Sequence, residues 1–499
     1  MTSIARPAYP LTIPDYGAER RRLARFLDGR AFVAGGRTAA SDGIPVADPA
    51  TNEVVGTVAR CDATHAARAV DSADAALRDW SRMLAGERGA VLRRWAALIR
   101  ANEDDLARLM TLEQGKPLAE AVGEIRYGAS FVEWFAAEGE RAYGETIPAH
   151  KPNAQIMTRQ QPIGVVLAVT PWNFPSAMVT RKAAAALAAG CTVIAKPAPE
   201  TPFSALALGA LAKEAGFPAG VFQVITGDAA DLTQALLSDN RVRAVSFTGS
   251  TRVGRIILGQ AAQGIKRASM ELGGHAPFLI FEDADPAQAA DAAMAAKFQT
   301  SGQDCLAANR IYVAESRHDD IVGRMAEALA QLRVGHGLDP ETDIGPMTHG
   351  GIAANCRRQV DDAVARGARL IASQARADGN FVTPTLLADV REDMLIGREE
   401  TFGPVAAVLS FRDEAEVVAR ANDTEMGLAA YLYTNYLRRT LRLSEALQYG
   451  MVAVNTVSFT GAPIPFGGWK QSGLGREGAR QGLLEFTETK YVCFGDLAA

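Results

Sequence analysis

Cys305 stands in Ser301-Gly302-Gln303-Asp304-Cys305, a run of small and polar residues. A solitary cysteine is ordinarily a small buried hydrophobe. Here its neighbours predict a loop or helix start, where backbone N–H groups would lower the thiol pKa and favour the nucleophilic thiolate. Met270-Glu271-Leu272-Gly273-Gly274 sets a carboxylate between apolar residues and ahead of a glycine pair. Such an acid either makes a salt bridge at the end of an element or, when partly desolvated, acts as general base toward water. In Pro171-Trp172-Asn173-Phe174-Pro175 two prolines stiffen a turn. Its asparagine amide either closes an Asx turn or donates to a developing oxyanion. Phe247-Thr248-Gly249-Ser250-Thr251-Arg252-Val253-Gly254 places glycine and hydroxyls between an apolar strand and a helix, a position suited to a pyrophosphate. It has neither the Gly-Lys-Ser/Thr ending of a P-loop nor a standard Gly-x-Gly-x-x-Gly pattern.

These side chains need a scaffold that holds them near one another. Helical signals run over Ala63 to Leu84 and over Gly89 to Leu118, then an apolar strand over Gly164 to Val169 leads into the proline-bounded turn. The spacing predicts a helix over 175–189, with Pro175 in its first turn and Gly190 at its stop. Strand 191–195, helix 203–215, strand 220–225 and strand 243–247 continue the alternation, and a second series runs from about Pro277 to Gly475. Apolar strands alternating with helices imply parallel sheets covered on both faces. The tail, Phe486 to Phe494, reads as a strand without an obvious neighbour, such as completes a sheet elsewhere or in another subunit.

A chain of 499 residues exceeds one ordinary core, so two or three units are expected. The formal charge of -5 leaves no basic footprint for nucleic acid. The start of the chain, Met1 to Pro14, lacks the apolar run of a signal peptide, and Gly190 interrupts the longest uncharged stretch below the ~20 residues of a membrane span. Five scattered cysteines without ligand spacing (Cys61, Cys191, Cys305, Cys356, Cys493) fit free thiols, a cytoplasmic location and no metal site.

From about residue 30 onward the chain resembles the aldehyde dehydrogenase superfamily. The matching stretches are Pro171 to Pro175, Lys196-Pro197, Phe247 to Ser250, Glu271 to Gly274, Gly302-Gln303-x-Cys305, Glu400-Thr401-Phe402-Gly403-Pro404 and Pro465-Phe466-Gly467-Gly468. Glu271 and Cys305 lie 34 residues apart, as this family's base and nucleophile do. The resemblance implies an α/β fold: a Rossmann-like NAD(P)-binding domain over 1–143 and 163–274, an α/β catalytic domain over 275–476, and a β oligomerisation arm from 144–162 and 477–499. It implies that Cys305 attacks the aldehyde carbon and that Asn173 and the Cys305 N–H hold the oxyanion, each donor worth about 3–4 kcal/mol in comparable sites. After hydride transfer, Glu271 would activate the water that hydrolyses the thioester, giving a free acid rather than an acyl-coenzyme A. For the cofactor, NAD or NADP, it implies contacts from Trp172, Lys196, Gly249, Ser250, Glu400 and Phe402. Pro199 occupies the place of a glutamate that many NAD-preferring relatives use on the ribose 2′-hydroxyl, with Glu200 or Asp228 as substitutes.

Among subfamilies the likeness is to succinate-semialdehyde dehydrogenases, through Glu113 to Pro117, Glu133-Trp134-Phe135, Met178 to Lys182 and Gly473 to Glu477. The substrate-facing residues implied are Arg181, for a distal carboxylate, Gln299 and Thr460. Gln299 replaces a second arginine and Thr460 a serine, so half of a carboxylate clamp remains. The substrate expected is succinate semialdehyde or a similar small carboxylate-bearing aldehyde. A second semialdehyde such as 2-oxoglutarate semialdehyde and a non-catalytic, ligand-binding member of the fold are the alternatives. His275, in the place of a common lysine, is read as packing, and Ala307 excludes a vicinal disulfide with Cys305. A homodimer or homotetramer is expected, with the arm and the tail strand pairing across subunits.

Overall fold

The computed structural model describes residues 11–39, 42–372 and 378–496. The first ten residues of the N-terminal segment, and 497–499 at the end of the expected arm, lie outside the described residues. Two open sheets organise the chain. The first has eight strands in the order Gly36–Thr38, Ala31–Val33, Phe222–Val224, Thr192–Lys196, Val165–Val169, Val242–Thr248, Arg267–Glu271 and Gly473–Leu474. Its five central strands are parallel. Every residue of Val165–Val169 and Thr192–Lys196 is buried, as a sheet covered by helices on both faces requires. The second sheet orders Arg369–Ala372, Thr385–Ala388, Val405–Phe411, Ala308–Ala314, Ala276–Ile280, Ala429–Tyr433 and Met451–Val454, and is parallel except at its first pair.

Helix Ala177–Ala189 follows the proline-bounded turn and stops at Gly190, whose φ of 100° is the left-handed cap that glycine adopts most readily. Pro175 lies before this helix rather than in its first turn. The N–H groups of Ser176 and Ala177 are instead taken by the Glu124 carboxylate, 2.9 and 3.1 Å away, from helix Leu118–Glu138. The helix expected from Gly89 to Leu118 is two helices, Ala85–Ala101 and Glu103–Gln114. Asn102 breaks it by leaving helical geometry (φ -111°, ψ 20°) while its amide donates to Leu98 O at 2.8 Å.

Two pairings were out of reach of local patterns. Gly473–Leu474 lies inside the stretch read as catalytic, yet it runs antiparallel to Arg267–Glu271 and closes the edge of the first sheet. The tail strand Thr487–Phe494 has a partner within the chain: it runs antiparallel to Gln155–Pro162, from Thr487 opposite Pro162 to Phe494 opposite Gln155. Thr146–Ile147 completes this small third sheet. Among the described residues no helix is long and apolar enough to cross a membrane.

Candidate active site

Val165–Val169 and Val242–Thr248 are adjacent strands whose following loops run to opposite sides, toward Thr192–Lys196 and Arg267–Glu271 respectively. In an open α/β sheet a crevice forms at the carboxyl ends of strands where the order reverses in this way. The second sheet meets the crevice with amino ends: Cys305 precedes Ala308–Ala314, and Glu400 and Phe402 precede Val405–Phe411. Between them lies a cavity of about 1020 Å³. Cys305, Glu271, Asn173, Arg181, Gln299 and Thr460 line it, as do Trp172, Lys196, Pro199, Gly249, Ser250, Glu400 and Phe402. Residues spread over almost 300 positions of sequence thus share one chamber.

Cys305 sits in a turn. Thr300, Ser301 and Gly302 lead to it with φ of 51°, 56° and 74°, three successive left-handed residues. A Cβ on Gly302 would fall 2.3 Å from Gly403 O, so only glycine lets the chain pass there. The thiol does not gain the low pKa expected from the sequence. Burial pushes it well above the ordinary value, the Asp304, Glu271 and Glu400 carboxylates add to that, and Arg181 opposes them. Beside it, the Asn173 amide donates to Gln303 O at 3.0 Å. The Asn173 carbonyl accepts from Lys116 Nζ at 2.8 Å, and Lys116 forms a buried ion pair with Glu124 at 2.6 Å. Glu124 therefore caps helix Ala177–Ala189 and, through Lys116, holds the asparagine turn.

Glu271 ends strand Arg267–Glu271 and is buried, with Oε2 lacking a hydrogen-bond partner. Burial raises its pKa to about 8, Glu477 adds to the rise, and Arg181, Lys182 and Arg476 counter it. Arg181 is not a helix-surface residue: it is buried, lies over the Phe466 ring at 4.2 Å, and pairs with Glu477 at 2.6 Å. Burial would depress the guanidinium, but Glu477, together with Tyr127, Glu271 and Cys305, holds Arg181 above the ordinary arginine value. Lys182 binds the other Glu477 oxygen and donates to Thr248 Oγ1 at 2.7 Å. The half-clamp expected from the sequence is thus one arginine already facing a carboxylate. Gln299 is exposed toward the cavity and Thr460 is half-buried. Sequence reasoning missed Lys116, Glu124, Lys182, Glu477, Asp304 and Glu120. Nothing in their local pattern marks Lys116, Glu124, Lys182 and Glu477 as buried, or Asp304 and Glu120 as half-buried. Lys116, Lys182 and Glu477 nevertheless fall within stretches that carried the subfamily likeness.

At the other end of the cavity Ser250 caps helix Thr251–Gln263, its Oγ accepting from Val253 N at 3.4 Å, so further N–H groups of that first turn remain for an anion. Lys196 is buried with Nζ on Pro197 O at 2.9 Å, and burial lowers its pKa to about 8 against the pull of Glu200. Trp172 meets Phe402 edge-on at 5.4 Å and His349 at 5.8 Å. Glu400 accepts from Gly274 N at 3.0 Å. Glu200 lines the cavity beside exposed Pro199, whereas Asp228 is held by Arg60 at 2.8 Å on the surface. Thr170 Oγ1 and Gln260 Oε1, both in the lining, are buried without hydrogen-bond partners. A helix N-terminus, a buried lysine, aromatic walls and orphaned polar atoms fit an elongated phosphate-bearing cofactor. His275 is buried against Gly397 O at 3.1 Å, a packing position.

Residues 37–492 match the model of the aldehyde dehydrogenase family. The chain belongs to that family. It is an oxidoreductase acting on aldehydes with NAD or NADP. This aldehyde dehydrogenase is 56% identical over 456 residues to the non-phosphorylating aspartate-semialdehyde dehydrogenase of Halomonas elongata, covering 91% of this chain and 92% of that one. It is 49% identical over 456 residues to the NADP-dependent succinate-semialdehyde dehydrogenase of Escherichia coli, covering 91% and 95%. The crystal structure of an aldehyde dehydrogenase from Brucella melitensis superposes with a TM-score of 0.93 at 49% identity, covering 94% of this chain and 98% of that one.

Proposed function

We propose that this enzyme oxidises a short carboxylate-bearing semialdehyde, succinate semialdehyde or one close to it, to the free acid through a thioester on Cys305. The observation that carries the reading is the meeting of Cys305, Asn173, Glu271 and Arg181 in one cavity. Cys305 Sγ attacks the aldehyde carbon, and the Asn173 amide with the Cys305 N–H supports the resulting oxyanion. Lys196, Gly249, Ser250, Glu400, Phe402 and Trp172 would hold NAD or NADP, which when bound would supply the hydride acceptor. Glu271, once ionised, takes a proton from the water that opens the thioester. Arg181 meets the substrate carboxylate, and Glu477 and Lys182 keep the guanidinium in place. The names of relatives that act on aspartate and succinate semialdehydes support this class.

The paired arm and tail strand leave the outer edge of Thr487–Phe494 without a partner strand among the described residues, and Tyr491 and Phe494 on it are exposed. An open edge of this kind supports a homodimer or homotetramer joined through it. Five free thiols support a reducing, cytoplasmic setting. Incubation with succinate semialdehyde and oxidised cofactor, followed by acid quench and peptide mass analysis, tests the chemistry. The acyl mass is expected on the Cys305 peptide and absent from Cys305→Ala. Product formed with the label elsewhere overturns the reading.

A further inference from the structure

The residue before Cys305 is an acid, and it faces the same cavity. Asp304 Oδ1 accepts from Leu306 N at 2.9 Å, and among the described residues no lysine, arginine or histidine forms an ion pair with this carboxylate. Glu120, in the same lining, has both oxygens on Thr300 N (3.1 and 2.9 Å) and likewise forms no ion pair among the described residues, Lys116 acting on it only from a distance. On the other side Arg181 and Lys182 share Glu477. The substrate end therefore holds one shared cationic pole and an acidic wall, with uncharged Gln299 in its lining. Burial raises the pKa of both carboxyl groups, Glu120 to about 7, so a cation beside them stabilises the ionised form. A substrate bearing only negative charge satisfies Arg181 and leaves them without one.

We propose that Asp304 is a specificity residue for an ammonium group, so that the preferred substrate is a short semialdehyde carrying an amino group as well as a carboxylate. The carboxylate lies toward Arg181 and the ammonium toward Asp304, and each pole of the substrate meets the opposite charge. The thiol gains as well. Asp304 is one of the groups that disfavour the Cys305 thiolate, and a cation on Asp304 removes that repulsion when the substrate is in place. The inference rests on Arg181 as the carboxylate pole proposed above.

The test compares kcat/KM for 2-amino-4-oxobutanoate and 4-oxobutanoate, which differ in the amino group alone. Wild type is expected to favour the amino compound, and Asp304→Asn to lower that preference by about 10-fold or more, as loss of a charge-assisted contact does. Gln299→Arg, which leaves the Asp304 carboxylate in place, is expected to shift preference toward 4-oxobutanoate. L-Aspartate against succinate as competitive inhibitors gives the same comparison without turnover. An unchanged preference in Asp304→Asn, with both aldehydes still oxidised, overturns the role of Asp304 and leaves the semialdehyde reading standing. Arg181→Ala lowering kcat/KM no more for these two aldehydes than for a neutral one overturns both.

Discussion

Glu271 is a carboxyl group that burial holds toward its protonated form, while the proposed reaction asks it to act as a base. With its pKa raised to about 8, the ionised form that accepts a proton from water grows as pH rises through that value. Steady-state turnover limited by thioester hydrolysis is therefore expected to climb between about pH 7 and 9. Glu271→Gln is expected to give one burst of reduced cofactor per site followed by a slow phase at least about 100-fold below wild type. Stopped-flow absorbance across pH measures both, and full-rate turnover in the variant removes Glu271 from the base role. The motifs that proposed Cys305, Glu271 and Asn173, three residues that line one cavity, were legible in the sequence. Their electrostatic state was not, because it depends on Asp304, Glu400, Glu477 and Arg181, which no local pattern brings near.

At the scale of elements, the segment Thr300-Ser301-Gly302 is a bend that only its neighbours explain. Gly302→Ala sets a methyl 2.3 Å from Gly403 O, in a left-handed backbone. Relief requires movement of the chain that carries Gln303 and Cys305, and a displacement of about 1 Å in an active site lowers rate by about 100-fold. The expected outcome is a kcat loss of that order with cofactor affinity nearly kept, checked by steady-state kinetics beside fluorescence titration of cofactor. Strand and helix positions in the first sheet followed their sequence patterns closely because both faces are apolar. The two misreadings, Pro175 as a first-turn residue and a single helix from Gly89 to Leu118, arose where side chains take over backbone donors and acceptors. Glu124 caps from another helix, and Asn102 binds back on its own.

For the whole molecule, the small sheet is the test of assembly. Removal of residues 487–499 strips the strand that pairs along Gln155–Pro162 and exposes that strand's edge. The expected product is a monomer with a lower apparent melting temperature, measured by light scattering on a sizing column and by thermal scanning. An oligomer of unchanged size removes the tail strand from the interface. Apolar strands alternating with helices, and the motifs at their ends, were enough to read the α/β class and the family likeness. Periodicity and turn chemistry act over a few residues, and these features need no more. The tertiary structure alone decided that Gly473–Leu474 closes the first sheet, that the tail returns to the arm and that Arg181 faces Glu477. It also decided that Asp304, beside the thiol, forms no ion pair among the described residues, with Lys116 and Arg181 acting on it only from a distance. Those depend on which strands and which charges long-range packing brings together, and a pattern of a few residues does not encode such meetings.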